Sequence, residues 1–177
     1  MKKHRRKTTG RLSALLSLLL VATMAQPLFQ TRAAENDVAM DGNVTWSYLD
    51  DGSDPAGDST TAGYDRTSWT KDDYDISAWK TATGPFGAKK GKINDLGGGC
   101  TPKTLLTQYK ADGTTDIEAF FFRTDVTIPD ASKVTKISGS VIYDDAATVY
   151  VNGVKIAGFD DDSITGNLQY GGADAPG

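Results

Sequence analysis

The segment Val141-Ile142-Tyr143-Asp144-Asp145-Ala146-Ala147-Thr148-Val149-Tyr150-Val151-Asn152-Gly153-Val154-Lys155-Ile156 constrains the fold most, because it specifies two strands, their turn and their register together. Asn152 and Gly153 both tolerate positive φ, as a two-residue type I′ turn requires, and β-branched residues flank them on both sides. Pairing outward from that turn sets Val151 against Val154 and Val149 against Ile156. It predicts these four side chains on one sheet face, with Tyr150 and Lys155 on the other. One apolar face and one mixed face is the pattern of a strand that packs on a second sheet and meets water on its other side.

The remaining segments read as short strands separated by turn signals. Residues 44–49 alternate as a first strand, and residues 50–63 form a loop punctuated by Gly52, Pro55, Gly57 and Gly63. Residues 73–79 predict a short helical turn with Asp75 or Ser77 near its start, ended by Gly84-Pro85-Phe86-Gly87. Residues 89–104 carry glycines and lysines without an apolar period and predict an irregular surface loop. Phe120, Phe122, Val126 and Ile128 fall on one face of an alternating strand, residues 134–143 predict the next, and residues 164–170 a further short one. Little helical period and no internal repeat accompany them, which indicates an all-β, antiparallel β-sandwich.

Three segments, in this order, carry a family resemblance. "YDISAWKTATGPFG" (74–87), "FFFRTDVTI" (120–128) and "IYDDAATVYVNGVKIAGF" (142–159) resemble the early, central and late strands of galactose-binding-domain-like jelly rolls. Such modules accompany the catalytic domains of secreted glycoside hydrolases, and the opening "WSYLDDGSDP" at Trp46 is most similar to modules that precede calcineurin-like metallophosphoesterase domains. The resemblance covers residues 44–172. It implies a jelly roll that lacks its last strands, as the N-terminal portion of something longer.

The first residues give an address. Lys2, Lys3, Arg5, Arg6 and Lys7 precede an uncharged apolar run over residues 12–25, which reads as a secretory signal peptide within a processing region 1–34. That run falls short of the roughly 20 apolar residues a membrane-spanning helix takes. Cleavage after Ala25 or after Ala33 satisfies the small-residue rule equally. The sole cysteine, Cys100, lies too far downstream for a lipoprotein signal. Residues 35–43 then read as a flexible lead-in, 44–172 as the β-sandwich module and 173–177 as a tail or linker. Removing residues 1–34 takes seven of the 19 basic residues and none of the 23 acidic ones, leaving 12 against 23 and a net charge of −11. A chain so acidic is a poor partner for nucleic acid or anionic lipid, and it suits a secreted, extracellular protein.

The only histidine is His4, inside the signal peptide, so the exported part has no imidazole for a general base, a zinc ligand or a Ser or Cys triad. This excludes the chemistry of a metallophosphoesterase from these residues. Gly97-Gly98-Gly99-Cys100-Thr101-Pro102-Lys103-Thr104 imitates a phosphate-binding loop, but Pro102 stands where a glycine amide should be. Glu35 and Glu118 are the only glutamates, and nothing sets two carboxyls across a glycosidase cleft.

What is left is binding. Asp50, Asp51 and Asp54 form one candidate cluster for structural Ca²⁺ and Asp160, Asp161 and Asp162 another, although neither has EF-hand spacing; repulsive surface charge on loops is the alternative. Asp144 and Asp145 sit at a strand corner, either as ligand contacts or as carboxylates that cap local amides. Sugar binding needs aromatic faces: Trp69 is the expected exposed platform, Tyr64 a second, and Trp79 the expected core residue. The sequence therefore points to a non-catalytic module that binds carbohydrate or packs beside an adjacent catalytic domain. The alternative is the N-terminal fragment of a metallophosphoesterase with its active site beyond residue 177.

Overall fold

A computed structural model of the chain describes residues 40, 42–97 and 99–169. The expected signal peptide, most of the expected lead-in and the expected tail lie outside the described residues. Among the described residues seven strands follow in order: β1 (Thr45–Leu49), β2 (Lys80–Thr83), β3 (Phe86–Gly87), β4 (Thr104–Leu105), β5 (Phe121–Arg123), β6 (Ala147–Val151) and β7 (Val154–Phe159). The only helical pieces among the described residues are single 3-10 turns at Ser68–Thr70 and Ala131–Lys133. The described residues are all-β and mainly antiparallel. Its sheets are small: β2-β1-β5, the parallel pair β3-β4, and the hairpin β6-β7.

Antiparallel pairing sets Tyr48 opposite Phe122 and Leu49 opposite Phe121, so alternate residues of β1 and β5 face opposite ways. Aromatic rings cover both faces there. On one, Tyr48 and Phe122 meet Phe86, with ring centroids 5.2 and 4.9 Å from the Phe86 ring. On the other, Trp69 stands edge-on to Phe121 at 5.1 Å and to Tyr150 at 6.0 Å, and lies 6.3 Å from Trp79. Edge-to-face pairs of this kind contribute about 0.5–1.5 kcal/mol each beyond the area they bury. Trp69 thus joins the hairpin to the three-stranded sheet, and Arg123 Nη1 donates to its carbonyl oxygen at 3.0 Å. Trp69 is half-buried packing and not the exposed platform expected of it, because the 3-10 turn at Ser68–Thr70 swings it inward.

The hairpin forms as its sequence requires, with Asn152 at φ 47° and Gly153 at φ 81°. Val151 pairs with Val154 and Tyr150 with Lys155. Beyond them the register shifts, so that Val149 opposes Ala157 and Ile156 is the extra residue of a bulge. The buried face is also the reverse of the expectation. Tyr150 packs on Trp69, whereas Val154 is 64% exposed and Ile156 47%. The aromatic ring offers more apolar area to Trp69 than the valines do, and it decides which side turns inward.

Other expectations fail for want of a partner strand. Residues 134–143 form no strand; Ile137 and Ile142 are 62% and 80% exposed, and no backbone pairing joins residues 135–143 to another described segment. The strand expected over 120–128 shortens to β5, leaving Val126 and Ile128 exposed. Residues 73–79 make a turn closed by Trp79 N–H to Ile76 O at 2.9 Å, with Asp75 accepting from Ser77 N–H, and not a helical turn. Residues 164–169 likewise form turns and no strand, and Tyr170 lies outside the described residues.

Candidate functional site

Most loop aspartates serve the backbone. Asp51, Asp54, Asp58, Asp65, Asp75, Asp95, Asp112 and Asp130 each accept the amide two residues further on at 2.8–3.1 Å. This Asx geometry turns the chain and lowers the carboxyl pKa where the bonds are strongest, as at Asp112, held at about 2 by the Thr115 hydroxyl and by the Thr115 and Thr114 amides. Asp144 and Asp145 do not behave this way: neither side chain accepts a hydrogen bond among the described residues, and Asp145 turns the corner by adopting φ 66°.

The two acidic clusters do not assemble as sets. Asp50 is 2% exposed, its Oδ1 lies 2.7 Å from Lys80 Nζ, and its Oδ2 accepts from Thr107 N–H at 2.8 Å. Asp51 caps Ser53. Asp160 Oδ2 accepts from the Tyr143 hydroxyl at 2.8 Å. Buried Asp161 ties the hairpin arms together through Lys155 Nζ at 2.7 Å and the Thr148 hydroxyl at 2.5 Å, and these partners draw its pKa down. Among the described residues no three carboxyl, imidazole or thiol groups converge as a metal cluster.

Asp54 and Tyr64 do meet. An open cleft of about 930 Å³ lies between the 54–64 loop and the 165–169 turn, with Glu118 on its wall. Tyr64 donates its hydroxyl to Asp54 Oδ2 at 2.6 Å, while Ala56 N–H and Asn167 Nδ2 both donate to Asp54 Oδ1 at 2.8 Å. Asn167 Nδ2 also donates to Arg66 O at 2.8 Å, and Arg66 Nη1 donates to Ile164 O at 3.1 Å. Asp54 is therefore the hub that pins two loops 113 residues apart in the chain. Burial, with the Asp54 carboxylate next to it, pushes the Tyr64 phenol up to about 12, so it keeps its proton and its hydrogen bond across the physiological range.

With both Asp54 oxygens engaged, the groups left to meet a ligand include the Tyr64 ring, the Glu118 carboxylate, the Ser59 hydroxyl and the second oxygen of Asp58. Glu118 is exposed and makes no hydrogen bond or ion pair among the described residues. An aromatic face flanked by free carboxylate acceptors can hold a polyhydroxylated ring. Of the expected ligand contacts, only Tyr64 lines the cleft. Trp69, Asp144 and Asp145 do not. Sequence reasoning missed Asn167 and Glu118, since Asn167 lies in a segment that reads as a short strand and Glu118 reads only as a glutamate without a partner across a glycosidase cleft.

Comparison of the chain with protein-family models, with curated proteins and with solved structures finds no match.

Proposed function

We propose that the chain is a secreted, non-catalytic β-sandwich module of the galactose-binding-like type that binds neutral carbohydrate in the Asp54–Tyr64–Asn167 cleft. The observation that carries this reading is the cleft itself: a pinned, roomy concavity whose unengaged groups include one aromatic face, a serine hydroxyl and hydroxyl-accepting carboxylates. The absence of histidine outside residues 1–39 supports a binding role over a catalytic one.

A glycan array followed by calorimetry tests it. Neutral oligosaccharides should bind without turnover, and Glu118→Gln should weaken them several-fold while leaving the melting temperature unchanged. No binding on the array, or phosphatase activity in residues 35–177, would refute the reading.

A second reading, packing beside a hydrolase domain, is favoured by a different observation. Val126, Ile128, Ile137, Ile142, Val154 and Ile156 are all exposed, six large apolar side chains on one run of chain. It predicts that the chain tightens on association with such a domain, read as protection of residues 134–143 from hydrogen exchange.

A further inference from the structure

Lys89-Lys90-Gly91-Lys92 closes a two-residue hairpin. Lys89 N–H donates to Lys92 O at 2.9 Å and Lys92 N–H to Lys89 O at 3.3 Å. Lys90 has φ 56° and Gly91 φ 67°, so both central residues are left-handed, as in a type I′ turn. Asn, Asp or Gly ordinarily fills the first of these positions, because a lysine there pays the Cβ clash without a local hydrogen bond to offset it.

The turn is also seated firmly. Gly91 N–H donates to Gln108 Oε1 at 2.8 Å, and a Cβ on Gly91 would come within 3.3 Å of the Tyr109 ring. Lys89 and Lys92 are directly opposed across the antiparallel bridge, a register in which like charges repel.

No carboxylate relieves that repulsion. Among the described residues the ion-paired lysines are Lys71, Lys80, Lys133 and Lys155, while Lys89 Nζ reaches only the neutral carbonyl of Asp95, at 3.3 Å. Lys89, Lys90 and Lys92 are all exposed. Residues 84–110 hold five lysines and one acidic residue, Asp95, in a chain that is strongly acidic elsewhere. An anion is thus attracted to this turn and repelled by most of the remaining surface.

We propose that the 89–92 turn is a binding site for an anionic polysaccharide, its carboxylate or sulfate groups neutralising the opposed pair Lys89 and Lys92 with Lys90 at the tip. Lysine ammonium groups act as point charges and accept either anion. A single turn suits a polymer with spaced charges better than the continuous phosphate ladder of nucleic acid, which rewards an extended basic face.

Chromatography of the full chain on immobilised polygalacturonate, dextran sulfate and uncharged dextran, with a DNA resin as control, tests the proposal. Retention is expected on one or both anionic polysaccharide resins, falling as salt rises, and exceeding any salt-insensitive retention on dextran through the neutral-sugar cleft. Lys89→Gln with Lys92→Gln should weaken binding about tenfold at an unchanged melting temperature. Lys90→Asn should weaken it too while raising the melting temperature, since Asn accepts positive φ more readily. Lys133→Gln and Glu118→Gln should leave retention intact, which separates this site from the cleft. Passage of the wild type through both anionic resins, wild-type retention by the double variant, or equal retention on DNA would overturn it.

Discussion

Replacing Asp50 by Asn should expose how much of this small fold rests on one buried charge. The carboxylate is 2% exposed, one oxygen 2.7 Å from Lys80 Nζ and the other accepting from Thr107 N–H at 2.8 Å. Burial is the largest single influence on its pKa and acts upward, but Lys80 and Thr107 together outweigh it and leave the net shift downward. Asn keeps the shape and can serve the Thr107 amide with its carbonyl, yet its NH₂ then confronts the ammonium. Removing one partner of a fully buried pair costs about 3–5 kcal/mol. Lys80 is 56% exposed and can turn to water, which reduces the expected loss to about 2 kcal/mol. For a domain of this size that is a fall of about 8 °C in melting temperature, at roughly 4 °C per kcal/mol.

The pH dependence gives the sharper check. A carboxylate with a depressed folded pKa contributes stability that is present above its unfolded pKa of about 3.9 and lost as pH falls through the folded value. The gap between wild type and Asp50→Asn, measured by calorimetry, should therefore be full at pH 7 and close below pH 4. Lys80 is raised by the same contact, so the wild type should also lose this contribution as pH climbs above about 10.5. A gap under 1 °C at pH 7, or one that persists unchanged at pH 2, would refute the assignment of Asp50 as an ion-pair anchor.

Two further substitutions probe the packing. Trp69→Ala removes the ring between Phe121 and Tyr150; a fully buried aromatic truncation costs about 3–5 kcal/mol, so this half-buried one should cost about 2–3 kcal/mol in urea unfolding. A loss below 1 kcal/mol would mean the hairpin is held by something else. Gly158→Ala builds a Cβ into the Asp161 carboxylate and should displace it from Lys155 and Thr148 at a cost of about 1–3 kcal/mol, with faster amide exchange across β6 and β7; unchanged exchange would show that the Asp161 contact does not hold the arms.

The sequence by itself determined the local chemistry. Asn152-Gly153 set the turn and its first two cross-strand pairs, since only residues tolerant of positive φ close so short a loop. The abundance of aspartate followed by Ser, Thr or Gly two residues on foreshadowed turns. The tertiary structure alone decided which hairpin face turns inward, because Val149, Tyr150 and Ile156 compete for a partner, Trp69, that lies some eighty residues earlier in the chain. It decided likewise that Asp50 is an anchor and Asp54 a hub. Both roles depend on Thr107 and Asn167, at separations of 57 and 113 residues, and no local pattern encodes such a meeting. Strand pairing is non-local for the same reason: residues 134–143 carry the β-branched residues of a strand, but propensity supplies only one side of a ladder, and its hydrogen bonds exist only where another segment arrives to share them.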